Sequence, residues 1–277
     1  MNTVVECSSV EVRLTEAGLA NRIRGWAGGY ALSTLLGIPL NIHWQPTWQC
    51  PGQYNEVFDI ALPQYDGTSG EAHRSPMHLI FSSVSEPKAT DHLYGYAKFG
   101  SEFLGLDRDV VLQMGNAFMR DLQPAGGVQD IVSGFQDDSA WRSTLGVHLR
   151  GTDHEFYRRS IGVELDYGDV ARQIEATVRS EDVDRVFLAC DDARLWSELM
   201  KSPIAGLVVN SDAATTLEWV WSQSVGSSVQ SAGADLFALA KCERQLLTPH
   251  SSFSYLAALI ARKSPNYFTA GEKRQST

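Results

Sequence analysis

Between Leu145 and Ala261 the chain alternates short apolar runs with stretches of helical spacing, and that alternation limits the folds open to it. Strands are expected at 145–150, 185–190, 206–210 and 244–248. Helices are expected at 167–180, 193–201, 229–241 and 252–262. Strands joined through helices run parallel, so the pattern predicts an α/β domain with a parallel sheet covered on both faces. Ligands of such sheets bind beyond the carboxyl ends of the strands. Three of these ends carry polar groups. LGVHLRGTD at 145–153 passes from an apolar run into His148, Arg150 and Asp153. VFLAC at 186–190 leads into Asp191 and Asp192. QLL at 245–247 leads into TPHSSFS at 248–254, which opens the apolar helical run YLAALIA at 255–261. Three such switches in order point to one shared nucleotide crevice.

The residue types fit phosphate. Arg150 offers a planar fork of five donors that stays charged at any working pH. The competing reading of Arg150 is an architectural salt bridge to Asp153. Ser251 and Ser252 fall where the last helix begins, and hydroxyls and unpaired N–H groups at such a start attract anions. The same serines would serve as plain helix caps. Near the N-terminus, GLANRIRGWAGGYALSTLLGI at 18–38 begins with a glycine turn and predicts a helix over 19–36. Asn21 and Arg22 lie in its first turn, where the helix dipole favours an anion. Gly25, Ala27, Gly28, Gly29 and Ala31 predict close helix packing.

The 277 residues suffice for two modest α/β domains. A first domain is drawn over 1–138, with strands at 38–44, 57–62 and 78–82 and helices at 107–121 and 125–135. Its long loops at 45–56 and 63–77 are of a length that is usually functional or mobile. The stretch QDDSAW at 136–141 serves as linker, and the second domain spans 139–277. A formal net charge of −10 argues against nucleic acid as a partner. An acidic protein that binds an anionic ligand must place its arginines locally, and Arg22, Arg24, Arg150, Arg158 and Arg159 form such an excess. The four cysteines, Cys7, Cys50, Cys190 and Cys242, have neither zinc nor CxxC spacing. Cys190 and Cys242 read as small core residues. The N-terminus lacks the pattern of a signal peptide, and no apolar run could span a bilayer. A soluble, cytoplasmic protein is the expectation.

Paired acids raise the question of a metal. DRD at 107–109 is expected in a helix's first turn, and DVD at 182–184 precedes a strand rather than following one. Asp191 is expected to accept hydrogen bonds from backbone or from Arg150. His148, His154 and His250 have no spacing that demands zinc. No metal and no cofactor are therefore expected.

The GLANR turn at 18–22, HLRGTD at 148–153, CDD at 190–192 and DLFALAKCERQLLTPHSSFS at 235–254 occur in an order that resembles one family. It is the superfamily of α1,2-, α1,6- and protein O-fucosyltransferases, which includes the nodulation-type bacterial enzymes. The resemblance runs from about Gly18 to Ala261. Gly151 stands where many members carry a second arginine, Cys190 where threonine is usual, and Ala20 where glycine is usual.

The resemblance implies a GT-B-like fold with two Rossmann-like domains facing a cleft. It implies a metal-independent, inverting transfer of fucose from GDP-fucose, or of a sugar from a related GDP-sugar, to an acceptor hydroxyl. Saccharide, peptide and small-metabolite acceptors all stay open. So do another NDP-sugar as donor and a non-catalytic binding protein. Arg150 would hold the diphosphate. Asn21, Arg22, Pro249, His250, Ser251, Ser252 and the N–H of Phe253 would complete the cradle. Asp235 would pair with guanine, His148 would line base or ribose, and Asp191 and Asp192 would border the donor. Asp153, Glu16 and Glu155 are the candidate bases.

Overall fold

The computed structural model describes residues 9–14, 17–47, 49–60, 78–82, 92–150, 166–191, 193–209 and 228–268. The chain forms two compact units, 1–125 and 126–277. The sequence places the boundary at 138/139 instead. Helix 126–135 falls in the second unit, where it packs against helix 229–241.

The first unit contains a three-stranded parallel sheet. Its strands are β1 (Ser9–Leu14), β2 (Leu40–Trp44) and β3 (His78–Ser82), in the order β2-β1-β3. Val10, Val12 and Leu14 of β1 are fully buried. Helix α1 (Leu19–Leu36) packs on β1, on α2 (His92–Phe103) and on α3 (Arg108–Arg120). It ends at Gly37, whose φ of +64° is the left-handed conformation of a helix terminator. The small residues of α1 do the packing expected of them. A Cβ on Gly28 would stand 2.4 Å from the Tyr96 ring, and one on Gly29 would stand 2.4 Å from Val12 Cγ2.

No strand forms over 57–60. Gln53 and Glu56 close a capping box around a 3-10 turn at Tyr54–Glu56. Beyond it, the pairing of Phe58 with Pro124 is an isolated antiparallel bridge. Val57 and Phe58 are buried as strand residues would be, but the turn removes them from a ladder. DRD behaves as expected: Asp107 caps α3, accepting from the N–H groups of Asp109 at 2.8 Å and Val110 at 3.3 Å.

The second unit holds a five-stranded, wholly parallel sheet in the order β6-β5-β4-β7-β8. The strands are β4 (Thr144–Leu149), β5 (Arg185–Cys190), β6 (Val208–Val209), β7 (Arg244–Leu247) and β8 (Asn266–Tyr267). The helices are α4 (Gly126–Phe135), α5 (Tyr167–Ser180), α6 (Ala193–Met200), α7 (Val229–Lys241) and α8 (Ser252–Ala261). The 136–141 stretch is not a loose linker. It enters a 3-10 turn, Asp138–Ser143, with Trp141 buried against Phe187.

The strand period of two sorts β4 between two cores. Leu145, Val147 and Leu149 join α5 and α6 through Val170, Ile174, Leu195 and Leu199. Gly146 and His148 face the other way, toward α7 and α8. A Cβ on Gly146 would lie 2.9 Å from Cys242 Cβ and 3.3 Å from Leu239, so glycine lets α7 approach the strand. Every residue of β4 is buried, which makes it the rigid centre of the unit.

Candidate functional site

The chain leaves β4 for β5 on one side of the sheet and returns to β7 on the other. The carboxyl ends of β4 and β7 therefore flank the point where strand order reverses, the usual place for a ligand in an open α/β sheet.

On the β7 side the ladder pairs His148 with Leu247 and then stops. Pro249, half-buried, begins the turn that follows. The Thr248 side chain takes over. Its hydroxyl donates to the His148 carbonyl at 2.8 Å and accepts from the Arg150 N–H at 3.0 Å. His250 then adopts φ +60° and turns the chain into α8. A non-glycine residue in this conformation is uncommon and concentrates at functional turns. Ser251 caps α8, accepting from the Ser254 N–H at 3.4 Å. Ser251 is buried, Ser252 and Phe253 are half-buried, and His250 is exposed.

His148 is 6% exposed and belongs to this junction. Its Nδ1 shares a 2.7 Å hydrogen bond with Ser254 Oγ, and its ring lies 4.9 Å from that of Phe253, tilted by 30°. On the β5 side, Arg150 Nε lies 3.4 Å from Asp191 Oδ2, so Asp191 is its ion-pair partner. The Asp191 N–H in turn reaches back to the Leu149 carbonyl at 3.4 Å. Arg150 is thus held from both sides, its main chain by Thr248 and its side chain by Asp191. Asp235 is half-buried in the middle of α7. Asp153, Glu155, Glu16 and Asp192 lie outside the described residues, as do His154, Arg158, Arg159 and Gly151.

The structure brings together Arg150, Asp191, His148 and the 249–253 turn. Thr248 and Ser254 were not singled out by the sequence. The available signal was a β-branched hydroxyl directly before a proline at a strand end.

Asn21 and Arg22 belong to the first unit. Asn21 is half-buried as the third residue of α1, whose N-cap is Gly18. Arg22 is fully buried. Its Nε donates to the Ala17 carbonyl at 2.7 Å. Its terminal nitrogens donate to the Gln45 carbonyl at 2.6 Å and to Thr47 Oγ1 at 2.7 Å. Its guanidinium also sits 5.1 Å from the Trp44 ring centroid. These contacts make Arg22 a brace between the start of α1 and the 45–47 segment. Burial holds its pKa below the ordinary arginine value. Burial also pushes the neighbouring Cys50 thiol up, against the lowering influence of Arg22. Cys50 and Cys242 are buried free thiols, and Cys190 is half-buried against the β4–β5 core.

At the level of sequence, no family model and no curated relative matches the chain. Solved structures do match. Arabidopsis thaliana FUT1, as a variant in complex with GDP, aligns with a TM-score of 0.55 at 13% identity, over 98% of this chain and 72% of that one. NodZ alpha-1,6-fucosyltransferase co-crystallised with GDP gives 0.56 at 14%, over 91% and 92%. POFUT1 in complex with GDP-fucose gives 0.57 at 11%, over 94% and 98%. The chain is thus similar in fold to these fucosyltransferase structures. The α/β class and the parallel sheet expected for the second domain are the ones found. Among the described residues, no helix is long and apolar enough to cross a membrane.

Proposed function

We propose that this chain is a glycosyltransferase that moves fucose from GDP-fucose to an acceptor hydroxyl, inverting the anomeric carbon without a metal ion. The observation that carries the reading is Arg150. It stands at the carboxyl end of the central strand, fixed through Thr248 to the turn that begins α8 and paired with Asp191. Structures of the same fold carry GDP or GDP-fucose, which supports a guanine nucleotide as donor.

In this reading the diphosphate lies at the switch point. The N–H groups that open α8 and the Ser251 and Ser252 hydroxyls would receive phosphate oxygens, with the helix dipole adding to the attraction. As the glycosidic bond breaks, its electron pair passes to the β-phosphate oxygen, and Arg150 stabilises that charge where other transferases use a divalent cation. Attack by the acceptor hydroxyl from the opposite face inverts the anomeric carbon. The hydroxyl proton passes to a carboxylate, for which Asp153 and Glu16 are the candidates. Asp235 would accept two parallel hydrogen bonds from guanine N1–H and the 2-amino group, a pair that adenine and uracil do not present. His148, bonded to Ser254, would shape the base or ribose wall. Asn21 would act from the start of α1, where Arg22 holds the backbone. The unpaired Cys50 and Cys242 fit a reducing, cytoplasmic setting.

The test is direct. Purified protein is titrated with GDP and then incubated with GDP-fucose, with GDP release and the anomeric form of the released or transferred fucose followed by NMR. Binding of GDP and first appearance of the inverted anomer support the reading. Failure to bind either nucleotide overturns it.

A further inference from the structure

A single hydroxyl closes the sheet where the ladder ends. Past the His148–Leu247 pair, two main-chain groups at the carboxyl end of β4 are still met from the β7 side: the carbonyl of His148 and the N–H of Arg150, the residue after the strand. Both are served by Thr248 Oγ1, at 2.8 Å and 3.0 Å. Thr248 is 2% exposed, so water is no ready substitute. A side-chain hydroxyl thus takes the place of a main-chain rung that the ladder no longer supplies.

From this we infer that Thr248 is a positioning residue, which sets the backbone of Arg150 against the turn that opens α8. The inference rests on the proposed nucleotide-sugar reading. Its physical content is narrower. Both halves of an anion site hang on one atom, because Arg150 leaves β4 at the next position and the α8 turn leaves β7 at the next position. Asp191 holds the Arg150 side chain and, through its own N–H, the Leu149 carbonyl at 3.4 Å on the β5 side, while the link from the Leu149–Arg150 peptide toward the α8 turn runs through Thr248. Without the Thr248 hydroxyl, the cation would lose its fixed relation to the helix start. Preorganisation of this kind governs how strongly a charge can act on a ligand.

The experiment is a double-mutant cycle read by GDP calorimetry, with thermal melting alongside. Thr248→Ala removes the hydroxyl and Thr248→Ser keeps it. Arg150→Ala removes the group through which Thr248 is argued to act. Thr248→Ala is expected to weaken GDP about tenfold and Thr248→Ser less than about threefold. In the Arg150→Ala background, Thr248→Ala should cost nothing further, because coupled residues are non-additive. Equal losses in both backgrounds would show general loosening and overturn the inference. So would a Thr248→Ser variant as impaired as Thr248→Ala, since the hydroxyl would then not be the working group. If wild type binds GDP and Thr248→Ala binds it equally well, the positioning role fails alone. If wild type binds no GDP, the nucleotide-sugar reading fails and this inference with it. Should Thr248→Ala prove too unstable to isolate, Thr248→Val restores the buried volume without the hydroxyl and replaces it in the cycle.

Discussion

Replacing Arg150 by lysine keeps the charge and removes the fork, and the structure sets the scale of both consequences. The pair with Asp191 is partly solvated, with side-chain exposures of 33% and 15% at 3.4 Å. Such a pair contributes about 1 kcal/mol at most, and lysine retains part of it. For a unit of this size, 1 kcal/mol moves the melting temperature by about 2–4 °C. The variant should therefore melt within about 4 °C of wild type. Turnover scales differently. Removing one preorganised donor to a developing oxyanion costs about 2.7–4 kcal/mol, or roughly a hundred- to a thousandfold in rate. GDP carries no breaking bond, so its affinity should fall by about tenfold or less. The assay measures GDP release from saturating GDP-fucose, GDP titration and melting on one preparation. A lysine variant that melts far below wild type but turns over normally would make Arg150 architectural, its purpose being the pair with Asp191. The functional assignment would then fail at its centre.

Wild type should bind GDP more tightly than ADP or UDP, and Asp235→Asn should erase that preference by about 1–3 kcal/mol in calorimetry; equal affinities for the three nucleotides in wild type would remove Asp235 from its role. Chelation with EDTA should leave transfer intact, whereas a strict requirement for added Mn²⁺ or Mg²⁺ would replace the arginine mechanism with a metal one. Burial raises the thiol pKa of Cys50 and Cys242. Their neutral forms therefore favour the folded state fully below the unfolded thiol value near 8.5, and that contribution is lost as pH rises through the folded values, for the deeply buried Cys242 by about 1.4 kcal/mol per pH unit. Denaturant melts between pH 8 and 10 should show Cys242→Ala flattening this alkaline decline, and an unchanged slope would refute the assignment.

What was legible in the sequence follows the range of the interactions. Helix α1 is readable because its signals are local: a glycine turn at Gly18, apolar residues at helical spacing, and a glycine stop at Gly37. The parallel sheet of the second unit is readable at β4, β5 and β7, whose apolar runs are largely buried and lead into polar residues, whereas the two-residue, exposed β8 was not assigned. Local signals also misled. Val57 and Phe58 carry strand-like burial, yet the Gln53–Glu56 capping box diverts them into a turn. β1 and α2 were not assigned from sequence. SVEVRL at 9–14 is short, and the α2 segment at 92–103 carries two glycines, so its helix rests on packing against α1 and α3.

The site divides along the same line. Arg150, Asp191 and the 249–253 turn are visible one strand end at a time. The pairs that make them a site join residues about a hundred positions apart: Arg150 with Thr248, and His148 with Ser254. Such contacts depend on strand order, which a single sequence does not state. Arg22 illustrates the converse. Its place in the first turn of α1 suggested a ligand for phosphate, but the 45–47 segment returns to that turn and receives its donors. A charged residue at a helix start is thus defined by what else the fold brings to it. At the β4–β7 junction the fold brings a helix N-terminus and an ion-pair partner, and there the arginine is only partly covered. That contrast between Arg22 and Arg150, a sealed guanidinium and a held but accessible one, is the physical support for proposing anion chemistry at the second.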